Sequence, residues 1–163
     1  MAGRRADLGS WLSGTPGPGD DGPSARLPKE GRGSRAGLGR RLVALAVDWL
    51  ASLAVSSAFF PDPDSVTGGL LRGYPLATTG VFAASTFVLV GLLGTTIGHR
   101  LVGIRVVRLA DVSSDGTGAF PPPGLLPALA RTVLLALVIP AVVWESTGRG
   151  LHDAAAGTVI VRG

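Results

Sequence analysis

The chain has 163 residues, 46% of them hydrophobic and only 16% charged, with a mean hydropathy of +0.42. Soluble domains carry about a quarter charged residues, so this composition points to a membrane. The absence of cysteine excludes disulfides, thiolate metal sites and cysteine nucleophiles. The net charge of +4 and pI of about 11 suit either nucleic acid or anionic lipid, and hydropathy favours lipid.

Residues 1–38 are rich in Gly, Pro, Ser and charge, with no repeating apolar face. They are expected to form a disordered tail. Within it, LGSWLSG (8–14) places Leu8, Trp11 and Leu12 on one helical turn, suited to a membrane surface or a partner. Arg4-Arg5 is followed by GTPGPG rather than an apolar run, which argues against an export signal.

Residues 39–163 are expected to form an all-α integral membrane domain with three transmembrane helices. LVALAVDWLASLAVSSAFF (42–60) ends at PDPD, and LATTGVFAASTFVLVGLLGTTI (76–97) follows. Each has about the twenty residues that cross a hydrocarbon core as helix. The third segment, 124–144, is interrupted by Arg131 and kinked by Pro140. It spans only if 124–130 is included and Arg131 snorkels or is paired. Between the second and third segments GIRVV reads as a short strand, and near the end TVIV is β-prone.

Near the helix ends, six Lys or Arg residues (Arg26, Lys29, Arg32, Arg35, Arg40, Arg41) lie just ahead of the first helix, one (Arg72) in the connection after it, and three (Arg100, Arg105, Arg108) in the connection after the second. The positive-inside rule then puts the N-terminus and the 98–123 loop in the cytoplasm. A third crossing leaves the C-terminus outside. If 132–144 only dips in, the C-terminus stays inside, where TVIV can pair with GIRVV.

Asp48 is the sharpest chemical signal. It lies two turns past Arg41, on a stripe continued by Ala44, Ser52 and Ser56 that should face protein rather than lipid. An acid inside a bilayer segment is either functional or an internal salt bridge. If the third segment enters at Gly124, Arg131 reaches nearly the same depth, so an Asp48–Arg131 pair is expected. The alternative for Arg131 is snorkelling to headgroups. Gly91, Gly94 and Gly98 form a small-residue patch for helix packing, beside Thr95 and Thr96. Arg100, Arg105 and Arg108 form a basic cluster without interleaved aromatics. Anionic lipid headgroups suit it better than nucleic acid. His99 and His152 have no ligand-spaced partners, so neither a metal nor a cofactor is expected. No nucleophile–base arrangement is visible either, so the chain does not read as an enzyme.

These motifs together resemble the RDD family of small bacterial multi-pass membrane proteins. Arg41, Ala44 and Asp48 are similar to its first-helix pattern, and GTTIGHRLVGIRVV (94–107) to its second motif, with His99 where the family usually has Lys. RGLHDAAAGTVIV (149–161) resembles its terminal motif, making Asp153 the second aspartate, and Arg131 matches a further family arginine. LGSWLSG and LPKEGRGS resemble an actinobacterial branch. The resemblance implies a bacterial inner-membrane protein without a settled activity. The function expected is assistance to the movement of an ion or small solute, as a homo-oligomer because three helices enclose little volume. The alternative is a non-transporting scaffold or accessory subunit in which Arg41, Asp48, Arg131 and Asp153 are structural charges.

Overall fold

The computed structural model describes residues 27, 28, 30–111, 120–136, 153 and 156–163. Helix α1 runs Leu38–Phe59, α2 Pro75–Leu93, α3 Ile97–Leu101 and α4 Leu125–Ala136, with strands β1 (Ile104–Arg108) and β2 (Thr158–Arg162). One-turn 3₁₀ segments cover Gly69–Arg72 and Leu109–Asp111.

The two long helices are the two apolar segments read from the sequence. At 1.5 Å per residue they reach about 33 and 28 Å, close to the ~30 Å hydrocarbon thickness. α1 stops at Phe60, before Pro61, whose ring cannot continue a helix. α2 opens on Pro75, where the missing N–H has no intrahelical acceptor to lose. It ends earlier than hydropathy suggests, because Gly94 adopts φ +68° and turns the chain. Thr96 then caps α3 as a separate short helix. The expected 76–97 helix is thus a helix, a glycine turn and a new helix start.

The packing is inverted relative to a soluble protein. α1 buries Ala44, Ser52 and Ser56, the stripe expected to face protein, while Leu42, Val43, Leu50 and Phe59 are exposed. α2 buries Thr78, Phe82, Thr86 and Val90, an i+4 ladder, and exposes Leu76, Val88 and Leu92. Only 17% of the apolar window of α1 and 28% of that of α2 are buried. Helices with small and polar residues inside and Leu, Val and Phe outside are stable where the solvent is hydrocarbon. Trp49 and Phe82 meet edge to face, centroids 5.5 Å apart, joining the two helices.

β1 and β2 pair antiparallel, with Val106 opposite Ile160. The segment before α1 joins the free edge of β2: Gly33 N–H donates to Arg162 O, Arg162 N–H to Ser34 O and Ala36 N–H to Ile160 O. One face of this sheet (Ile104, Val106, Ile160) packs on the helix ends with Ala36, Ala44, Val90 and Ala128. The other face (Val107, Val159, Val161) is covered by Leu27 and Phe120.

Two further expectations change. Residues 33–36, assigned to the disordered tail, are part of the sheet, with Ser34 and Ala36 at most 2% exposed. Composition misses this because their role is backbone pairing. Second, TVIV does pair with GIRVV, which adds a sheet to the all-α expectation. α4 has twelve residues, about 18 Å, and residues 137–144 lie outside the described residues, as does LGSWLSG. Whatever path the chain takes beyond Ala136, β2 brings it back to the end where β1 and the start of α4 lie.

Candidate functional site

The residues that carry charge into the helices converge on a cavity of about 80 Å³ lined by Arg41, Asp48, Thr86, Thr96, His99 and Arg131, with Leu38, Leu42, Leu45 and Leu135 among its apolar walls. The polar residues come from all four helices and are brought together at the sheet end of the molecule.

Asp48 does not pair with Arg131. Its Oδ1 accepts from Gly98 N–H at 2.8 Å, and its Oδ2 accepts from Thr96 Oγ1–H at 2.5 Å. The carboxylate thus holds the first turn of α3, where backbone N–H groups have no intrahelical acceptor. Gly98 makes this approach possible: a Cβ there would run into the Ala44 carbonyl, 2.8 Å from its carbon. Of the three expected packing glycines, Gly98 seats α3 on α1, Gly91 receives Leu125 and Ala128 of α4, and Gly94 supplies a turn.

The partner of Arg131 is Asp153, which also meets Arg41 Nη1 at 3.5 Å. Arg131 is 4% exposed, so it is paired rather than snorkelled. Arg41 Nε also donates to Ala36 O at 3.0 Å, tying the first helix to the sheet segment. Asp153 is 1% exposed. Both arginines share one carboxylate contributed from the far end of the chain. Depth matching along the helices cannot reveal this, because Asp153 lies on neither long helix.

His99 closes the first turn of α3. Its Nδ1 accepts from Thr96 N–H at 3.3 Å while the His99 backbone N–H donates to Thr96 Oγ1 at 3.2 Å, a reciprocal cap. That arrangement needs a neutral ring. Burial, followed by the nearby positive charges of Arg131 and Arg41, pushes its pKa down to about 3. A signal was available in the sequence: Thr-x-x-His has the spacing of a capping box with imidazole in place of carboxylate or amide.

The basic cluster read from the sequence divides. Strand alternation sends Arg105 and Arg108 to opposite faces. Arg105 Nη1 donates to Phe120 O at 3.3 Å and Arg108 Nε to Pro123 O at 2.6 Å, while Arg100 is exposed on α3. Among the described residues, no three His, Asp or Glu side chains gather to hold a metal ion.

The family model described as "RDD family" matches residues 35–157, most of the chain. The chain belongs to the RDD family. The match spans Arg41, Asp48, Arg131 and Asp153, so the charges that meet around the cavity all lie within the RDD region. RDD is a membrane family, in keeping with the apolar outer faces of α1 and α2. The tail pieces resembling an actinobacterial branch lie outside the matched residues. Searches of curated proteins and of solved structures found no match.

Proposed function

We propose that this RDD protein is a multi-pass protein of the bacterial cell membrane that assists the movement of an ion or small solute, with its N-terminus and 98–123 loop in the cytoplasm. The observation that carries the proposal is the cavity itself. It sets a carboxylate, two guanidinium groups, an imidazole and two hydroxyls among helices whose outer faces are apolar. Polar side chains at that depth are costly unless paired or functional. At ~30 Å³ per water, the cavity has room for two or three water molecules. It suits a small ion or a short water file rather than a metabolite. A larger pathway would form between protomers of a homo-oligomer.

The second reading is a scaffold or accessory subunit. One observation favours it: Asp48 is engaged by Thr96 and Gly98, and Arg41 and Arg131 share Asp153. Ion flux into proteoliposomes separates the two. Transport predicts flux for at least one ion of a broad panel, lost in a folded Asp48→Asn variant. Absence of flux across that panel favours the scaffold. No catalytic step is assigned.

A further inference from the structure

Three arginines from separate parts of the chain line one bowl at the sheet end of the molecule. Arg32 comes from the segment ahead of α1, Arg100 from α3 and Arg105 from β1; Leu93 and Thr95 form part of the wall. The bowl has a volume of about 400 Å³; its lining side chains carry three positive charges and no acid, and Gly163 also lines it, so the three guanidinium groups outnumber even a terminal carboxylate there. That is roughly thirteen water volumes, enough for a glycerophosphate-sized group.

Phe120 organises two of the three cations. The Arg32 guanidinium lies over its ring, 5.3 Å from the centroid, and its carbonyl accepts from Arg105. Each guanidinium has five N–H donors, so these contacts leave donors on both for an anion. Arg32 and Arg100 are exposed. The sequence does not group Arg32 with the other two; the folded strand end does so, and it turns Arg108 away to Pro123.

Depth identifies the anion. Leu93 is the last residue of α2, is 51% exposed and forms part of the wall. The bowl therefore begins where a helix of hydrocarbon length ends, which is the level of lipid phosphates. We propose that this bowl binds the phosphate of an anionic phospholipid, with Arg32, Arg100 and Arg105 as donors and an acyl chain descending past Leu93. The inference rests on the membrane placement and is independent of transport.

The test uses the full chain in a neutral detergent, titrated with short-chain phosphatidylglycerol, short-chain phosphatidylcholine or inorganic phosphate. Bound lipid is followed by native mass spectrometry and by thermal shift. Wild type should bind phosphatidylglycerol at least about tenfold more tightly than phosphatidylcholine, since each arginine near an anionic headgroup contributes a severalfold gain. Arg32→Gln/Arg100→Gln should abolish that preference while keeping the lipid-free melting temperature. Arg72→Gln, at the other end of the helices, should leave the preference intact. Equal binding of both lipids, or an unchanged preference in the double variant, overturns the proposal. If inorganic phosphate alone reproduces the thermal shift and competes off phosphatidylglycerol, the bowl is a free-phosphate site and the lipid assignment is wrong.

Discussion

Asp48 and Arg131 line the same cavity but bind different groups, and their energetics should differ accordingly. Asp153→Asn leaves Arg41 and Arg131 around a neutral amide, and breaking a buried ion pair costs about 3–5 kcal/mol. A double-mutant cycle on stability in detergent should give Arg131→Gln/Asp153→Asn a coupling of about 0.5–3 kcal/mol. The Arg131→Gln/Asp48→Asn cycle should give a smaller coupling; an equal or larger value would return Asp48 to the ion-pair network. Asp48→Ala, which removes the acceptor for Gly98 N–H and Thr96 O–H, should cost about 1.5–3 kcal/mol per charged hydrogen bond lost. His99 makes the pH behaviour specific. Its folded pKa of about 3 lies below the unfolded value of 6.5, so the unfolded chain binds the extra proton first. Its contribution to stability is complete above pH 6.5 and is lost as pH falls from there towards 3, with a slope approaching about 1.4 kcal/mol per unit. His99→Gln, which keeps a capping-box acceptor, should show a shallower decline between pH 6.5 and 4.5 in the same denaturation experiment. Parallel curves would mean that the imidazole already protonates in the fold.

At the scale of elements, α3 depends on its neighbours. Five residues do not make a stable helix alone; the Thr96–His99 cap and the Asp48 carboxylate hold it against α1. Gly98→Ala should therefore be far worse than its chemistry suggests, because the methyl meets the Ala44 backbone rather than a side chain that can move. A loss of about 1–3 kcal/mol or more is expected. Gly80→Ala is the matched control. It lies mid-α2 with nothing within 4 Å of the new methyl, and should be neutral or stabilising by up to ~1 kcal/mol. Thermal unfolding of the two variants side by side checks this. Similar melting temperatures would show that α3 does not need its close approach to α1.

For the whole molecule, the sheet ties the segment ahead of α1 to the two strands. Residues 33–36, β1 and β2 lie together, while the 61–74 connection closes the opposite end of α1 and α2 through Asp62 N–H to Arg72 O and Tyr74 N–H to Phe60 O. Single cysteines are diagnostic because the chain has none. With the N-terminus in the cytoplasm, Arg100→Cys and Arg162→Cys should be shielded from an impermeant thiol reagent in intact cells. Ser65→Cys should be labelled. Labelling of Arg162→Cys together with Ser65→Cys would separate β2 from β1 across the membrane and is incompatible with the sheet.

The two long helices and the polar stripe Ala44–Asp48–Ser52–Ser56 follow from the sequence alone, because hydropathy and 3.6-residue periodicity are local properties. The RDD motifs likewise mark Arg41, Asp48, Arg131 and Asp153 in the sequence. Local pattern did not decide who meets whom. Arg131 and Asp48 looked like partners because both had the right depth. The pairing instead depends on the return of β2 to β1, which carries Asp153 to the two arginines and leaves Asp48 to cap α3. The tail boundary, the break at Gly94 and the Arg32–Arg100–Arg105 bowl were hidden for the same reason. Each depends on backbone hydrogen bonds or close approaches between segments far apart in the chain, and a one-dimensional pattern of side chains does not encode which segments those are.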